Sequence, residues 1–147
     1  MTNSLVIDAS VMIKLLLHND QQIHIQQLMA DWHKAQYHFY ASSLWRYETT
    51  SALTKAVHFK LLTVAEAQQA LELLKIFEIE LVIPDANLVD LAVDWTLRLK
   101  RAAAYDSFYV ALAEHLKTEL WTADKRLYHA VKQDWVCYAG IMNGPSG

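Results

Sequence analysis

Four carboxylates stand out by their positions: Asp8, Glu48, Asp106 and Asp124. Asp8 ends a short apolar run, and Asp124 lies just beyond another. Asp106 opens a helical pattern, and Glu48 lies in the first turns of a different one. Carboxylates brought together repel one another, so a cluster of them makes chemical sense when a cation holds it. Hard oxygen ligands without a Cys or His set select Mg²⁺ or Mn²⁺ over zinc. A site of that kind can activate water and stabilise developing negative charge. The 7 histidines show no metal-binding spacing: His-Glu-x-x-His is absent, and His33 and His38 straddle an expected turn.

Each aspartate also has an ordinary explanation. Asp8, Asp106 and Asp124 can all be helix N-caps, their oxygens accepting orphan backbone N–H groups. Glu48 is harder to explain that way. It shares a helical face with Leu44, Ala52 and Ala56 at four-residue spacings, an apolar face expected to point into the core. An ionised Glu there without a partner is costly or is forced neutral. A cation among several carboxylates removes the conflict.

Alternating elements must bring these residues together. Ser4–Asp8 reads as a buried strand, Tyr37–Ala41 as a second, Ile79–Ile83 as a third, Glu119–Thr122 as a fourth and Trp135–Tyr138 as a last. Helical patterns fill the intervals: Val11–Leu17, Gln21–Lys34, a segment capped by Ser42 or Ser43 running to about Phe59, a capping box at Thr63–Glu66 starting a helix to about Phe77, a helix capped by Asp85 or Asn87, Tyr105–Leu116 and Lys125–Val131. Strands alternating with helices predict an α/β fold, a three-layer α/β/α sandwich with a parallel four- or five-stranded sheet. Ligands bind beyond the carboxyl ends of such strands, which is where the four acids are expected to converge.

Composition sets the limits. The 147 residues suit one domain over 1–142 with a flexible tail at 143–147, and the 54% hydrophobic content suits a packed core. The net charge of −3 argues against coating nucleic acid through bulk positive charge. Lys14, Arg46, Arg98, Lys100, Arg101, Lys125 and Arg126 could still line a phosphate track, or form solvated helix faces. No secretory leader or membrane-spanning segment is read, and the single Cys137 excludes an intramolecular disulfide, so a cytoplasmic protein is expected. Cys137 itself reads as a packed strand thiol. The 5 tryptophans exceed what one small core obviously needs, so one or two are expected to face a partner.

Four segments carry a family resemblance. Val6–Val11, Trp45–Leu53, Tyr105–Ala113 and Thr122–Leu127, in that order and spread over nearly the whole chain, resemble the motifs of the PIN-domain ribonucleases, in particular the VapC toxins of type II toxin–antitoxin pairs. The resemblance implies that Asp8, Glu48, Asp106 and Asp124 form an acidic catalytic quartet around Mg²⁺ or Mn²⁺, with Ser10 and Thr122 as possible accessory hydroxyls. It implies RNA cleavage leaving 5′-phosphate and 3′-hydroxyl ends, a homodimer, and a small antitoxin partner obstructing the groove. The competing reading is a catalytically silent PIN-like module that binds protein or RNA. A phosphotransferase with an aspartyl nucleophile fits less well, because Ser10 stands where an Asp-x-Asp pattern needs its second acid.

Overall fold

The computed structural model describes residues 3–142; the tail expected at 143–147 lies outside the described residues. The chain begins at the centre of its sheet. Strand β1 (Ser4–Ile7) pairs in parallel with β2 (His38–Ser42) on one side and β4 (Glu119–Thr122) on the other. Strand β3 (Glu80–Val82) adds outside β2, and β5 (Val136–Tyr138) outside β4. The order is therefore β3-β2-β1-β4-β5, five strands, all parallel. Leu5, Val6 and Ile7 are completely buried, as a central parallel strand covered on both faces requires.

Seven helices complete the described chain: α1 (Ala9–Leu16), α2 (Gln22–Lys34), α3 (Leu44–His58), α4 (Val64–Ile76), α5 (Ala86–Arg98), α6 (Tyr105–Leu116) and α7 (Lys125–Val131). Helices α1 to α4 pack on one another as one group, and α5 packs on α6 as another, giving the three-layer α/β/α sandwich. Helix α6 lies against β1, β2 and β4, and its Tyr109–Ala113 stretch is buried throughout. Thr63 and Glu66 form the expected capping box, and Asp85 rather than Asn87 caps α5, accepting from the Leu88 N–H at 2.9 Å. At α3 the cap expected from serine is weak. Ser43 makes no side-chain cap bond, and the Ser42 hydroxyl accepts from Leu44 N–H only at 3.4 Å.

Helix ends are handled without glycine. Gln36, Lys60, Lys100, Lys117 and Lys132 adopt φ of 54–61° at or just after helix C-termini, a left-handed conformation that disfavours side chains. The aromatic surplus is largely absorbed in packing. Trp32, Trp45 and Trp95 are buried, Trp32 meets Trp121 edge-on, and Trp95 meets Trp135 edge-on.

Candidate active site

The strand order reverses between β1 and β4, and the crevice beyond that point is where an open parallel sheet binds ligands. Asp8 leaves β1 there, and Asp124 leaves β4 two residues beyond its end. Both are helix N-caps. Asp8 Oδ1 accepts from Ser10 N–H at 3.0 Å to start α1, and Asp124 Oδ1 accepts from Arg126 N–H at 2.9 Å to start α7. Asp106 is not a cap; it stands in the first turn of α6, where the helix dipole favours negative charge. For two of the aspartates the capping explanation is correct, and for both it occupies Oδ1.

Asp8 is 4% exposed and is tied into a polar seam between β1 and β4. Its Oδ2 accepts from the Thr122 hydroxyl at 2.5 Å, and its Oδ1 also accepts from the Ser10 hydroxyl. Ser10 Oγ in turn accepts from Ala123 N–H at 2.8 Å, and Thr122 Oγ1 accepts from Asp124 N–H at 3.0 Å. Burial pushes the Asp8 carboxyl up to about 7, against the pull of those two hydroxyls and with added repulsion from Asp106 and Asp124.

Glu48 sits on α3 one step away from where the sequence pattern places it. The buried face of α3 is Trp45, Thr49, Leu53 and Ala56, so Glu48 stands at the margin of the core, half-buried, rather than inside it. Leu44 and Ala52 are likewise only partly covered, and of the expected face only Ala56 is buried. Its partner is a side chain that sequence reasoning missed: the Tyr109 hydroxyl donates to Glu48 Oε1 at 2.7 Å. Burial raises the Glu48 carboxyl, the Tyr109 hydrogen bond opposes that, and Asp106 adds repulsion. The signal for Tyr109 was its place three residues after Asp106, which puts both on one side of α6.

Asp106 is paired with Arg101, whose Nη1 lies 2.8 Å from Oδ2. Burial raises the Asp106 carboxyl, the Arg101 charge lowers it, and Asp124 raises it again. Glu48, Asp106 and Asp124 line one open cleft of about 510 Å³ together with Arg101, Ala102, Ala103, Tyr105 and Arg126, while Asp8 lies buried beside it. Of the seven basic residues that could have formed a phosphate track, Arg101 and Arg126 line this cleft; Arg98 instead stacks 3.8 Å over the Trp95 ring. Cys137 is outside the site, with its thiol pushed up to about 12 by burial and by Glu119, which makes it a poor nucleophile.

The donor set is all oxygen and its carboxyls push one another toward protonation, so it fits a hard divalent cation in its chemistry. Among the described residues, however, no group of three or more His, Cys, Asp or Glu is arranged to hold a metal ion as it stands. Each carboxylate has taken a partner from the protein: two hydroxyls for Asp8, Tyr109 for Glu48, Arg101 for Asp106, and helix N–H groups for Asp124.

The PIN-domain family model matches residues 5–133. The chain belongs to the PIN-domain family. No curated protein sequence matches it. Solved structures resemble it in fold at low identity. PAE2754 from Pyrobaculum aerophilum superposes with a TM-score of 0.63 at 22% identity, covering 94% of this chain and 84% of that one. A toxin–antitoxin complex from Klebsiella pneumoniae gives 0.62 at 15%, covering 90% and 94%. The Mycobacterium tuberculosis VapC20, described as a sarcin–ricin loop cleaving toxin, gives 0.59 at 15%, covering 81% and 87%.

Proposed function

We propose that this PIN domain is a Mg²⁺- or Mn²⁺-dependent endoribonuclease, the toxin of a VapBC-type toxin–antitoxin pair. The observation that carries the reading is the gathering of four carboxylates from β1, α3, α6 and the β4–α7 junction at the sheet's switch point. Family membership supports it, as does the likeness in fold to VapC20 and to the Klebsiella toxin–antitoxin complex.

In this reading Asp8 and Asp106 would hold the cation directly, Asp124 directly or through water, and Glu48 would either hold it or orient the water. When bound, the cation would supply Lewis acidity that lowers the pKa of water and stabilises charge on the phosphate. The remaining work falls to the protein. The Ser10 and Thr122 hydroxyls hold Asp8 in one orientation, so that its burial does not leave it free to turn. Tyr109 holds Glu48 by Oε1 and leaves Oε2 to orient the attacking water. Arg126, on the rim of the cleft, meets the RNA backbone.

The partners in this reading are RNA, a small antitoxin and a second copy of the chain, in the cytoplasm. No helix among the described residues is long and apolar enough to cross a membrane. Incubating purified protein with total RNA, with Mn²⁺ or with chelator, tests the activity. Cleavage that needs the metal, leaves 5′-phosphate ends and disappears in Asp106→Asn is expected. Absence of cleavage by folded, metal-supplied protein would favour the silent RNA- or protein-binding module.

A further inference from the structure

Arg101 is the cleft residue that carboxylate chemistry alone does not explain. Its position is built by the end of α5. Lys100, in the left-handed conformation at φ 54°, lets its own N–H reach the Leu97 carbonyl and the Arg101 N–H reach the Thr96 carbonyl, both at 3.1 Å. That is the reciprocal C-terminal bonding of a Schellman motif, and it fixes the direction in which Arg101 leaves the helix. Thr96 is itself anchored, its hydroxyl donating to the Ala92 carbonyl at 2.7 Å and hydrogen-bonded at 2.8 Å to that of Ser107, the residue after Asp106. Two neighbouring turns are therefore locked so that guanidinium and carboxylate meet.

The contact is neither sealed nor loose. The Arg101 side chain is 26% exposed and that of Asp106 37%. Its Nη1 takes Oδ2 of Asp106, a residue of the cleft that Glu48 and Asp124 also line. A guanidinium is always charged and offers several donors, so it neutralises a carboxylate as a cation does. Asp106 cannot give the same oxygen fully to both.

We propose that Arg101 is a built-in competitor for the divalent cation at Asp106, holding that carboxylate in the metal-free chain and yielding it when the cation binds. The inference rests on the metal-site reading above. It makes the cation set the state of a second group: once released, Arg101 is a free guanidinium on the wall of the cleft, available to a phosphate.

Calorimetric titration of the purified full chain with MnCl₂ tests this without reference to cleavage. Arg101→Gln should bind Mn²⁺ about fivefold more tightly than the wild type, the range of a partly exposed ion pair. Arg126→Gln removes the same charge from the same cleft without an ion pair to Asp106, and should gain about twofold or less. Arg101→Lys keeps the charge and should stay within about twofold of the wild type. An Arg101→Gln protein that binds no more tightly than the wild type, or gains no more than Arg126→Gln, overturns the competitor while leaving the metal site standing. Absence of Mn²⁺ binding in the wild type and every variant removes the metal site, and this inference with it.

Discussion

Asp8 answers two opposed demands. Its cap bond to α1 and its hydroxyl partners favour the ionised form, yet burial outweighs them and raises the group from 3.8 to about 7. The fold therefore prefers Asp8 protonated when no cation is present. Between those two values the folded chain binds more protons than the unfolded one, so metal-free stability should fall as pH rises from about 4 to about 7 and then level off. Urea titrations in chelator across that range should show the loss, on the order of a few kcal/mol. Asp8→Asn keeps a capping side chain and should flatten the profile; an unchanged slope would mean that another group is responsible. Tyr109 controls Glu48 through one hydrogen bond. Tyr109→Phe leaves Glu48 without its hydroxyl partner and should lower cleavage about tenfold, the usual effect of losing an orienting partner. Thermal denaturation is expected to move little, since one partly buried hydrogen bond contributes about 1 kcal/mol.

At the scale of elements, the strands and most helices were legible because their apolar periods are clear. Helix α6, β4 and α7 begin and end where the pattern places them. The Glu48 face was misjudged by about one residue position. Trp45, Thr49 and Leu53 form the buried stripe, and the polar Thr49 and Thr50 obscure it in the sequence. Thr49 is buried because its hydroxyl returns to the Trp45 carbonyl at 2.8 Å, a local bond that leaves no mark on an apolar pattern. The places of the aspartates in the fold were legible, since strand ends and helix starts locate them. The partners Tyr109 and Arg101 were not, because those contacts depend on how α3, α5 and α6 pack. Helix stops were also hidden, as lysine stands where glycine usually signals the left-handed turn. Lys117, exposed at φ 55° after α6, is a direct case. Lys117→Gly should raise stability by about 0.5–1 kcal/mol in urea unfolding, the relief of left-handed strain exceeding the added freedom of the unfolded chain.

For the whole molecule, α5 presents a stripe that its own sheet does not cover. Val89, Val93 and Leu97 are exposed at four-residue intervals, beside Asp90 toward one end and, toward the other, Lys100 and Arg98, which pairs with Asp94 of its own helix at 3.9 Å. Two copies of α5 packed antiparallel would bury the stripe against itself and set each acidic end over a basic one. The dimer proposed for this protein is therefore expected to use that face. Val93→Glu places a charge at the centre of the stripe and should yield a monomer by light scattering at concentrations where the wild type is dimeric. A wild-type monomer, or a variant that stays dimeric, would exclude α5 as the interface.

Every role assigned to the cleft requires a cation lying among Asp8, Asp106 and Asp124. Crystals soaked in MnCl₂ and measured at the manganese absorption edge locate such an ion without any assay. An anomalous peak within coordination distance of the Asp8 and Asp106 carboxylates, with the Arg101 side chain moved off Asp106, is the result predicted. A saturated soak with no peak in that cleft, and Arg101 still paired to Asp106, would contradict it.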